Sequence, residues 1–559
     1  MKNAGKTKVG KAATAAVGIT VMLQFGLAQA FQIDTDNADL KVSWDNTFKY
    51  TAAYRAKDPS QSVAASSVNP NVDAGDLNLG RGLINNRVDW LTELDMSYKS
   101  VGARISAAAW YDSVYNRSGN KFPTSVPNSI AALKGAPNNQ FTPATKKLMG
   151  RDAEIDDAFI YGSTDIGDEM KLSGRFGRYT QLYGESLFLG ANAIANAQGP
   201  VDLIKLLSVP NAQYKEIGLP VGQLSGNLQI NPNLSFGTYY QFEWRPLRLP
   251  ASGSYFSPAD FVGDGADLLL TPSGPANRVN DMTGRNSGQF GFRMKFKIPG
   301  SDVDYGLYAA KYDDKAPIPV LNATAPGAFN SGTYEQMYAE NIKVFGASFS
   351  TLVSETNVAG EVSTRRDTPL APLGDLVVNF DPNANNSNNS PYAVGNSLHA
   401  NLSAISVFAA NPLWNGASIV AEMAYNRLLS VTRNPTNPAF PNGVLNTTHT
   451  RDATAVRVLF QPEYFQVLPG TDLQVPISVG YGISGRSAVI QIEPEHGGDL
   501  AVGLNFDFQK IWRTGLQYTH YFGPAGPAPS LNPATNTQAA YKQYYADRDF
   551  VSLSIQRAF

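Results

Sequence analysis

Alternation of apolar and polar residues at period two recurs along this 559-residue chain and constrains its fold more than any other feature. One face of the segment from residue 40 to residue 54 is apolar or aromatic, with Leu40, Val42, Trp44, Phe48 and Tyr50. About 18 such segments follow one another, each with the roughly 9 to 11 residues that a tilted strand needs to cross a bilayer. The strands of a soluble β-sandwich alternate in the same way, but the repetition over the whole length of this chain favours a membrane barrel over a sandwich. The sequence predicts an all-β, transmembrane, antiparallel outer-membrane β-barrel of roughly 16 to 18 strands.

The connections between the predicted strands alternate in length. Lys99-Ser100 and residues 299–301 are short, whereas residues 112–151 and 245–288 are long. Outer-membrane barrels have short periplasmic turns and long outer loops. We therefore expect both termini in the periplasm and the segment 179–221 to enter from the outer side.

The first thirty residues have the pattern of a secretory signal peptide. Lysines precede a small and apolar run, and Ala28-Gln29-Ala30 supplies a cleavage site, so we expect residues 31–559 to form the mature barrel. The alternative is an N-terminal membrane helix. Cysteine is absent and the net charge is −2, which excludes disulfides and argues against a nucleic-acid partner.

Residues 179–221 do not alternate, although they lie between two predicted strands. Their apolar residues come in clumps that would form a large hydrophobic patch if they lay on the surface. We expect this segment to fold into the lumen and constrict it, with a short helix from Val201 to Leu207 after Pro200. The predicted substrate-lining residues are Leu182, Tyr183, Leu187, Phe188, Leu203, Leu206 and Leu207.

Charged residues of both signs fall on the predicted lumen face. They are Arg87, Asp89, Glu93, Asp95, Arg104, Arg175, Glu361 and Arg365. A ring that selects one ion sign would carry one charge sign, so a network that holds the infolded segment is the favoured interpretation. Glu185, Asp202 and Lys205 are candidate partners within the segment.

Metal and catalytic signals are weak, and we expect neither an enzyme nor a cofactor. Asp73, Asp76 and Asn78 surround Gly75 as oxygen ligands do in calcium loops, but the full acidic set is missing, and an Asx-rich turn is the simpler interpretation. His399, Asn401 and Ser403 share a lumen face, where polar lining is the default, and His520 falls on the lipid face.

Several longer stretches resemble an uncharacterised family of proteobacterial outer-membrane barrels, domain-of-unknown-function family 1302. They include GLINNRVDWLTELDM from Gly82, SAAAWYDSVY from Ser106, GESLF from Gly184 and GPVDL from Gly199. The resemblance implies traffic of a hydrophobic substrate with two partners, a periplasmic lipid-carrier-like protein and an inner-membrane exporter of the RND superfamily. Outer-membrane lipids, lipopolysaccharide and the barrel-assembly machinery are the further partners expected of such a protein.

The leading functional hypothesis is a porin-like channel for hydrophobic or amphipathic molecules, such as lipid-like, long-chain or steroid-like compounds. Apolar contact is nearly non-directional, so an apolar lining predicts broad substrate selectivity. Two alternatives stay open: a structural or adhesive barrel with a sealed lumen, and a surface lipid hydrolase.

Overall fold

Neighbouring strands pair in chain order until the last strand meets β2, so the main sheet closes on itself. The structure is a computed structural model that describes residues 31–64, 69–123, 139–208, 214–271, 274–324, 332–372, 374–529 and 539–559. The predicted signal peptide, residues 1–30, lies outside these described residues.

The strands of the described residues fall into one large sheet and one small sheet. In chain order they are β1 Phe31–Ile33, β2 Leu40–Arg55, β3 Gly82–Tyr98, β4 Val101–Asp112, β5 Arg151–Ile166, β6 Met170–Tyr179, β7 Val221–Asn231, β8 Leu234–Gln241, β9 Leu268–Thr271, β10 Gly274–Arg278, β11 Gln289–Lys297, β12 Asp304–Tyr312, β13 Ile318–Asn322, β14 Thr333–Met337, β15 Ile342–Val353, β16 Thr356–Pro369, β17 Val377–Asn379, β18 Val394–Phe408, β19 Gly416–Arg433, β20 Asp452–Leu468, β21 Thr471–Gln474, β22 Ile477–Ser484, β23 Gly498–Phe508, β24 Trp512–Phe522 and β25 Phe550–Ala558.

The large sheet is a closed antiparallel barrel with 18 strand positions. It contains 20 strands, because β21 and β22 share one position between β20 and β23, and β1 continues the edge of β2 beside β25. Thr47 pairs with Ala558 at the closure, and Phe31 pairs with Trp44 just beyond it. The predicted fold class and strand number are confirmed.

The two ends of the barrel differ. Short connections such as Lys99-Ser100 and Ser354-Glu355 lie at one end, which also holds Phe31 and Phe559, and we name it the turn end. Lys99 and Ser354 both have positive φ values, 53° and 54°, as tight hairpins require. The long connections lie at the opposite end, the loop end.

The outer face of the barrel is a belt of exposed apolar side chains. Trp44 is 47% exposed, and Phe176 and Leu224 are each 53% exposed, on positions that alternate with lumen-facing residues. A surface of this size needs lipid around it, so the alternation seen in the sequence is that of a membrane-spanning barrel. None of the helices in the described parts of the chain is long and apolar enough to cross a bilayer.

A second sheet of five strands, in the order β17, β13, β14, β10, β9, lies in the connections at the loop end. The sequence analysis treated these connections as loops, because their strands are short and lack a clean alternation. Ile318, Val320 and Met337 from this sheet are buried in one cluster with Tyr312 and Val344 of the barrel wall. The loop end is therefore a packed layer above the wall.

The helices are short. The α-helices span Gln61–Ala64, Ala74–Leu77, Pro143–Thr145, Leu203–Ser208 and Tyr214–Ile217, a π-helix spans Lys146–Gly150, and a 3-10 helix spans Ile194–Ala197. Three of them, Ile194–Ala197, Leu203–Ser208 and Tyr214–Ile217, belong to the segment that enters the lumen.

Candidate functional site: the constricted lumen

Residues 180–208 and 214–220 are the described parts of the connection between the neighbouring strands β6 and β7, and we name them the constriction segment. They reach across the barrel. The carboxylate of Glu361 in β16 accepts hydrogen bonds from the backbone nitrogens of Glu185, at 2.6 Å, and Ile194, at 2.7 Å. A Cβ added at Gly184, where φ is +99°, would collide with this carboxylate. The prediction that this segment folds into the lumen is confirmed.

Glu422 in β19 is the second anchor. One of its carboxylate oxygens accepts hydrogen bonds from the backbone nitrogens of Leu187, Phe188 and Leu189, at 3.1, 2.6 and 2.9 Å. The other oxygen accepts one from the hydroxyl of Ser186 at 2.7 Å. Successive N–H groups that converge on one oxygen form an anion-binding nest, which is filled here by a carboxylate of the wall.

A buried polar cluster around Asn192 fixes the next turn of the segment. Its Nδ2 donates to Oδ1 of Asn401 at 2.9 Å, and its Oδ1 accepts from Nδ2 of Asn426 at 3.1 Å. Nδ1 of His399 lies 3.0 Å from the same Oδ1, and Nε2 of His399 lies 2.8 Å from Oγ of Ser397. Because Oδ1 of Asn192 is an acceptor, Nδ1 of His399 carries the proton and Nε2 accepts from Ser397.

The second half of the segment lies against the opposite wall. Asp202 accepts a hydrogen bond from Arg248 at 3.0 Å, and Arg248 also donates to Glu154 on the lumen face of β5. The predicted helix from Val201 to Leu207 starts two residues late, at Leu203. Val201 and Asp202 are held in isolated β-bridges to Gly218 and Arg248, which prevents a helical start after Pro200.

The structure divides the predicted apolar lining into two groups. Tyr183 and Phe188 are buried, at 4% and 5% exposure, and attach the segment to the wall. The other five, Leu182, Leu187, Leu203, Leu206 and Leu207, are only partly buried against three different clusters. Since the first two would need to move to meet a passing molecule, the partly exposed leucines form the accessible surface. Their role in substrate binding stays a prediction.

Tyr183 is held by an aromatic group on the wall of β8 and β12. Its ring centroid lies 5.4 Å from that of Tyr239 and 6.2 Å from that of Tyr308, and the guanidinium of Arg293 lies 4.8 Å from the Tyr183 ring. Gly237 leaves room for this approach, because a Cβ there would lie 3.1 Å from the Tyr183 hydroxyl. The segment is thus fixed where it leaves β6 as well as at its far side.

The predicted charge network also divides. Glu361 and Arg365 hold the constriction segment, since Arg365 donates to the carbonyl oxygens of Ala191 and Ala193 at 2.8 and 3.0 Å. The other members line the wall of β3 to β6 and have partners there. Those wall contacts are Arg87 with Asp89 at 2.6 Å, Arg104 with Glu93, Asp95 with the Tyr161 hydroxyl at 3.2 Å, and Arg175 with the Phe159 ring at 5.7 Å.

A second infolded connection, residues 485–497, was missed by the sequence analysis. Arg457 on the lumen face of β20 pairs with Glu493 at 2.7 Å and with Asp499 at 2.6 Å. Ile492 packs against the same buried cluster as Leu187. Glu422 was missed as well. It had a signal, because it is the one acid among the inward positions from Gly416 to Leu428 of β19.

The candidate calcium residues lie in a buried junction at the loop end. The carboxylate of Asp76 accepts hydrogen bonds from Arg55 at 2.9 Å and from Arg548 at 3.0 Å, and Asn78 donates to the carbonyl oxygen of Gly253. Asp73 is also buried. Over the described residues, His, Cys, Asp and Glu side chains form no group of three or more that could hold a metal. The calcium interpretation stays a prediction in which the ion competes with two arginines for Asp76.

Comparison with known proteins gives a family and distant structural likenesses. The family described as "Protein of unknown function (DUF1302)" matches residues 11–559. No curated protein matches the sequence.

Three solved structures illustrate the likeness. OccAB4 of Acinetobacter baumannii is 10% identical, with a TM-score of 0.40 over 94% of this chain and 100% of that chain. OccK2 (OpdF) of Pseudomonas aeruginosa is 9% identical, with a TM-score of 0.37 over 95% and 99%. The outer membrane channel DcaP of Acinetobacter baumannii is 8% identical, with a TM-score of 0.35 over 95% and 100%. Likeness at this level supports no statement about the function of this chain.

Proposed function

This chain belongs to the DUF1302 family, and on that premise we propose that it is an outer-membrane channel for hydrophobic or amphipathic molecules. The observation that carries the proposal is a constriction segment fixed inside a closed barrel with leucine side chains left partly exposed. Leu187, Leu203 and Leu207 are partly buried in three separate clusters. An apolar surface that is exposed in a lumen has a cost in water unless an apolar molecule covers it.

The polarity of the lumen favours an amphipathic passenger. The lumen wall at β3 and β4 carries Arg87, Asp89, Glu93 and Arg104, whose side chains are 22 to 35% exposed. A molecule with an apolar body and a polar group can contact both surfaces at once. Binding sites for such ligands combine an apolar lining with a few polar groups that set the orientation.

The test is a flux measurement on reconstituted barrels. Leu203→Asp and Leu207→Asp should strongly reduce the passage of a hydrophobic fluorescent probe, because each places a carboxylate on the apolar surface of the constriction. Leu91→Asp is the matched control, since Leu91 faces the lumen on β3 away from the segment. Equal flux through all three variants and the parent barrel would refute the apolar path.

We infer the same orientation for the protein as for other outer-membrane barrels, with the turn end in the periplasm and the loop end outside. The sequence has no cysteine, so single cysteines can report it. A membrane-impermeant maleimide should label Ser387→Cys at the loop end of intact cells and leave Glu355→Cys at the turn end unlabelled. The reverse labelling would invert the proposed orientation.

A periplasmic lipid-carrier-like protein and an inner-membrane RND-superfamily exporter remain the proposed partners. In the proposed orientation, a carrier would meet the short turns of the turn end. Crosslinking from Glu355→Cys in cells tests for such a contact, and a product that also forms from Ser387→Cys would argue against it.

A sealed structural or adhesive barrel is the second candidate, and the packed loop end favours it. The five-stranded sheet and the buried Arg55, Asp76 and Arg548 junction cover that end with ordered chain. Planar-bilayer conductance separates the candidates, because a sealed barrel conducts no ions and a constricted channel conducts some.

A further inference from the structure

A groove on the lipid-facing surface of the barrel crosses the strands from β6 to β12. Its volume is about 470 Å³, and its lining includes Leu172, Gly226, Phe236, Phe292, Leu307 and Ala309. These positions point outward, since Leu172, Phe236, Phe292 and Leu307 are 43 to 53% exposed. Aromatic and aliphatic walls around small residues leave a concave, apolar surface that faces the acyl chains of a bilayer.

A row of three cations begins directly beyond the groove, on the loop-end side. Lys311 is the next outward residue after Ala309 on β12, and it pairs in register with Lys343 on β15, which pairs with Arg366 on β16. Neighbouring strands lie roughly 5 Å apart, so the three side chains start within roughly 10 Å of one another. Lys343 and Arg366 are exposed, and Lys311 is half-buried.

Aromatic rings support this row from the membrane side. The guanidinium of Arg366 lies 5.8 Å from the ring centroid of Phe345, which is 49% exposed on the outer face. Phe290 pairs with Lys311 and is 36% exposed. Cations next to exposed aromatic rings mark the level where a bilayer interface would lie.

The acidic groups nearby offset the row only in part. Lys343 pairs with Asp367 at 3.1 Å, and both side chains are about half exposed. Glu340 and Asp313 are buried, with side chains 7% and 2% exposed, and both lie near Arg285, while Glu340 also interacts electrostatically with Lys311. Three cations beside the exposed acid Asp367 give an outward-facing surface with a net positive charge.

We propose that this surface binds a phosphorylated, acylated lipid of the leaflet at the loop end. An acyl chain lies in the groove, and the lipid phosphate lies on Lys311, Lys343 and Arg366. Lysine and arginine recognise phosphate oxygens through charge-assisted hydrogen bonds. An acyl chain in the groove contacts apolar wall atoms that would otherwise be poorly packed. This inference does not depend on what passes through the lumen.

The experiment compares lipid retention by native mass spectrometry on the full-length mature barrel. The probes are bis-phosphorylated lipid A and its dephosphorylated form, added to purified protein in detergent. The headgroup variant is K311Q/K343Q/R366Q. Its matched control K57Q/R151Q/R427Q removes three other cations at the loop end whose side chains are exposed. The groove variant is Ala309→Trp, and its control is Ala404→Trp on the outer face of β18. Heat-modifiable electrophoretic mobility verifies that each variant is a folded barrel.

The parent barrel and both controls should retain lipid A, and the headgroup and groove variants should each bind it at least about tenfold more weakly, as expected from the loss of two or more charge-assisted hydrogen bonds or of the acyl contact. Dephosphorylated lipid A should bind the parent as weakly as lipid A binds the headgroup variant. Equal retention by K311Q/K343Q/R366Q and its control would overturn the proposal. A change in oligomeric state caused by Ala309→Trp would instead assign the groove to a second copy of the chain and would also overturn it.

Discussion

The carboxylate of Glu422 lies 2.6 Å from the backbone nitrogen of Phe188, although the two residues belong to opposite sides of the bore. β19, which carries Glu422, is seven wall positions from β7, where the constriction segment rejoins the sheet. The same oxygen accepts from Leu187 and Leu189, so one side chain fixes three successive peptide groups. The width of the lumen is therefore set by a wall residue as much as by the segment itself.

Replacing Glu422 should release the segment. Glu422→Gln removes the charge and turns one acceptor into a donor that faces backbone N–H groups, at a cost of about 1 to 3 kcal/mol for groups left unsatisfied. We expect larger and noisier single-channel currents in planar bilayers. Glu463→Gln is the control, because Glu463 lies on β20 and pairs in register with Gly416, six residues along β19 from Glu422. It should leave the currents unchanged. Identical traces for both variants would mean that Glu422 does not set the opening.

Asp76 should be essential for the stability of the loop end. Its carboxylate, Arg55 and Arg548 are all fully buried, and Arg548 holds the pKa of Asp76 below its ordinary value against the effect of burial. Asp76→Asn removes the carboxylate that Arg55 and Arg548 share and leaves Asp547, 3.2 Å from Arg55, to compensate two buried cations. It should cost about 3 to 5 kcal/mol.

Urea unfolding of the refolded barrel in detergent measures this cost. Asp58→Asn is the control, because Asp58 is an exposed acid of the same connection, and it should change the free energy of unfolding by less than about 0.5 kcal/mol. An unfolding midpoint for Asp76→Asn equal to that of the control would show that the junction of Arg55, Asp76 and Arg548 contributes nothing to the stability of the barrel.

The contacts that Asp375 makes at the loop end should weaken as the pH rises. Its carboxylate accepts hydrogen bonds from the backbone nitrogen of Ala539 at 2.6 Å and from Asn446 at 3.0 Å, and thereby joins three connections. Burial raises the pKa of Asp375 from 3.8 to about 7. Because the folded pKa lies above the unfolded value, the junction is most stable when Asp375 is protonated, and its stability decreases as the pH rises from 3.8 toward 7.

Hydrogen exchange corrected for the intrinsic rate tests this sign. Residues 539–549 should be better protected at pH 5.5 than at pH 8, conditions that lie on either side of a pKa of about 7. Asp375→Asn should abolish the difference, and Asp381→Asn, an exposed acid of the same connection, should keep it. Protection that increases with pH in the parent protein would contradict the assignment.

Ser397 should be unreactive toward a fluorophosphonate, although its hydrogen bond to His399 and the contact of His399 with Asn192 have the order of a hydrolase triad. All three side chains are buried, at 0 to 1% exposure, so no ester can reach the hydroxyl in this structure. We expect no labelling of the folded barrel. Labelling that disappears in Ser397→Ala and in His399→Ala would favour the lipid hydrolase instead.

The wall of the barrel could be predicted from the sequence because its side chains alternate between apolar and polar at period two. Each predicted strand has a counterpart in the barrel. The alternation predicts strands at residues 304–312, 417–426 and 453–461, and the first of these is observed with the same bounds. The other two, β19 and β20, continue to Arg433 and Leu468, where the apolar alternation has already stopped. Backbone hydrogen bonds between paired strands extend a hairpin beyond the residues that show the apolar alternation.

The contacts inside the lumen could be predicted only in part. The clumped leucines indicated that residues 179–221 need an enclosed place. Glu361 and Arg365, two of the eight charged residues predicted on the lumen face, contact that segment. Which wall residue meets which peptide group depends on pairs such as Glu422 with Phe188, more than two hundred residues apart. The five-stranded sheet was missed because strands of three to five residues have too few positions to establish a period.

The seam between β2 and β25 has a consequence for biogenesis. Tyr50 of β2 pairs with Ile555, which is synthesised 505 residues later. During export one edge of β2 is therefore an open template for foreign strands, apart from the three residues that β1 can shield. A periplasmic chaperone, or the machinery that inserts such barrels, must protect that edge until the final hairpin arrives.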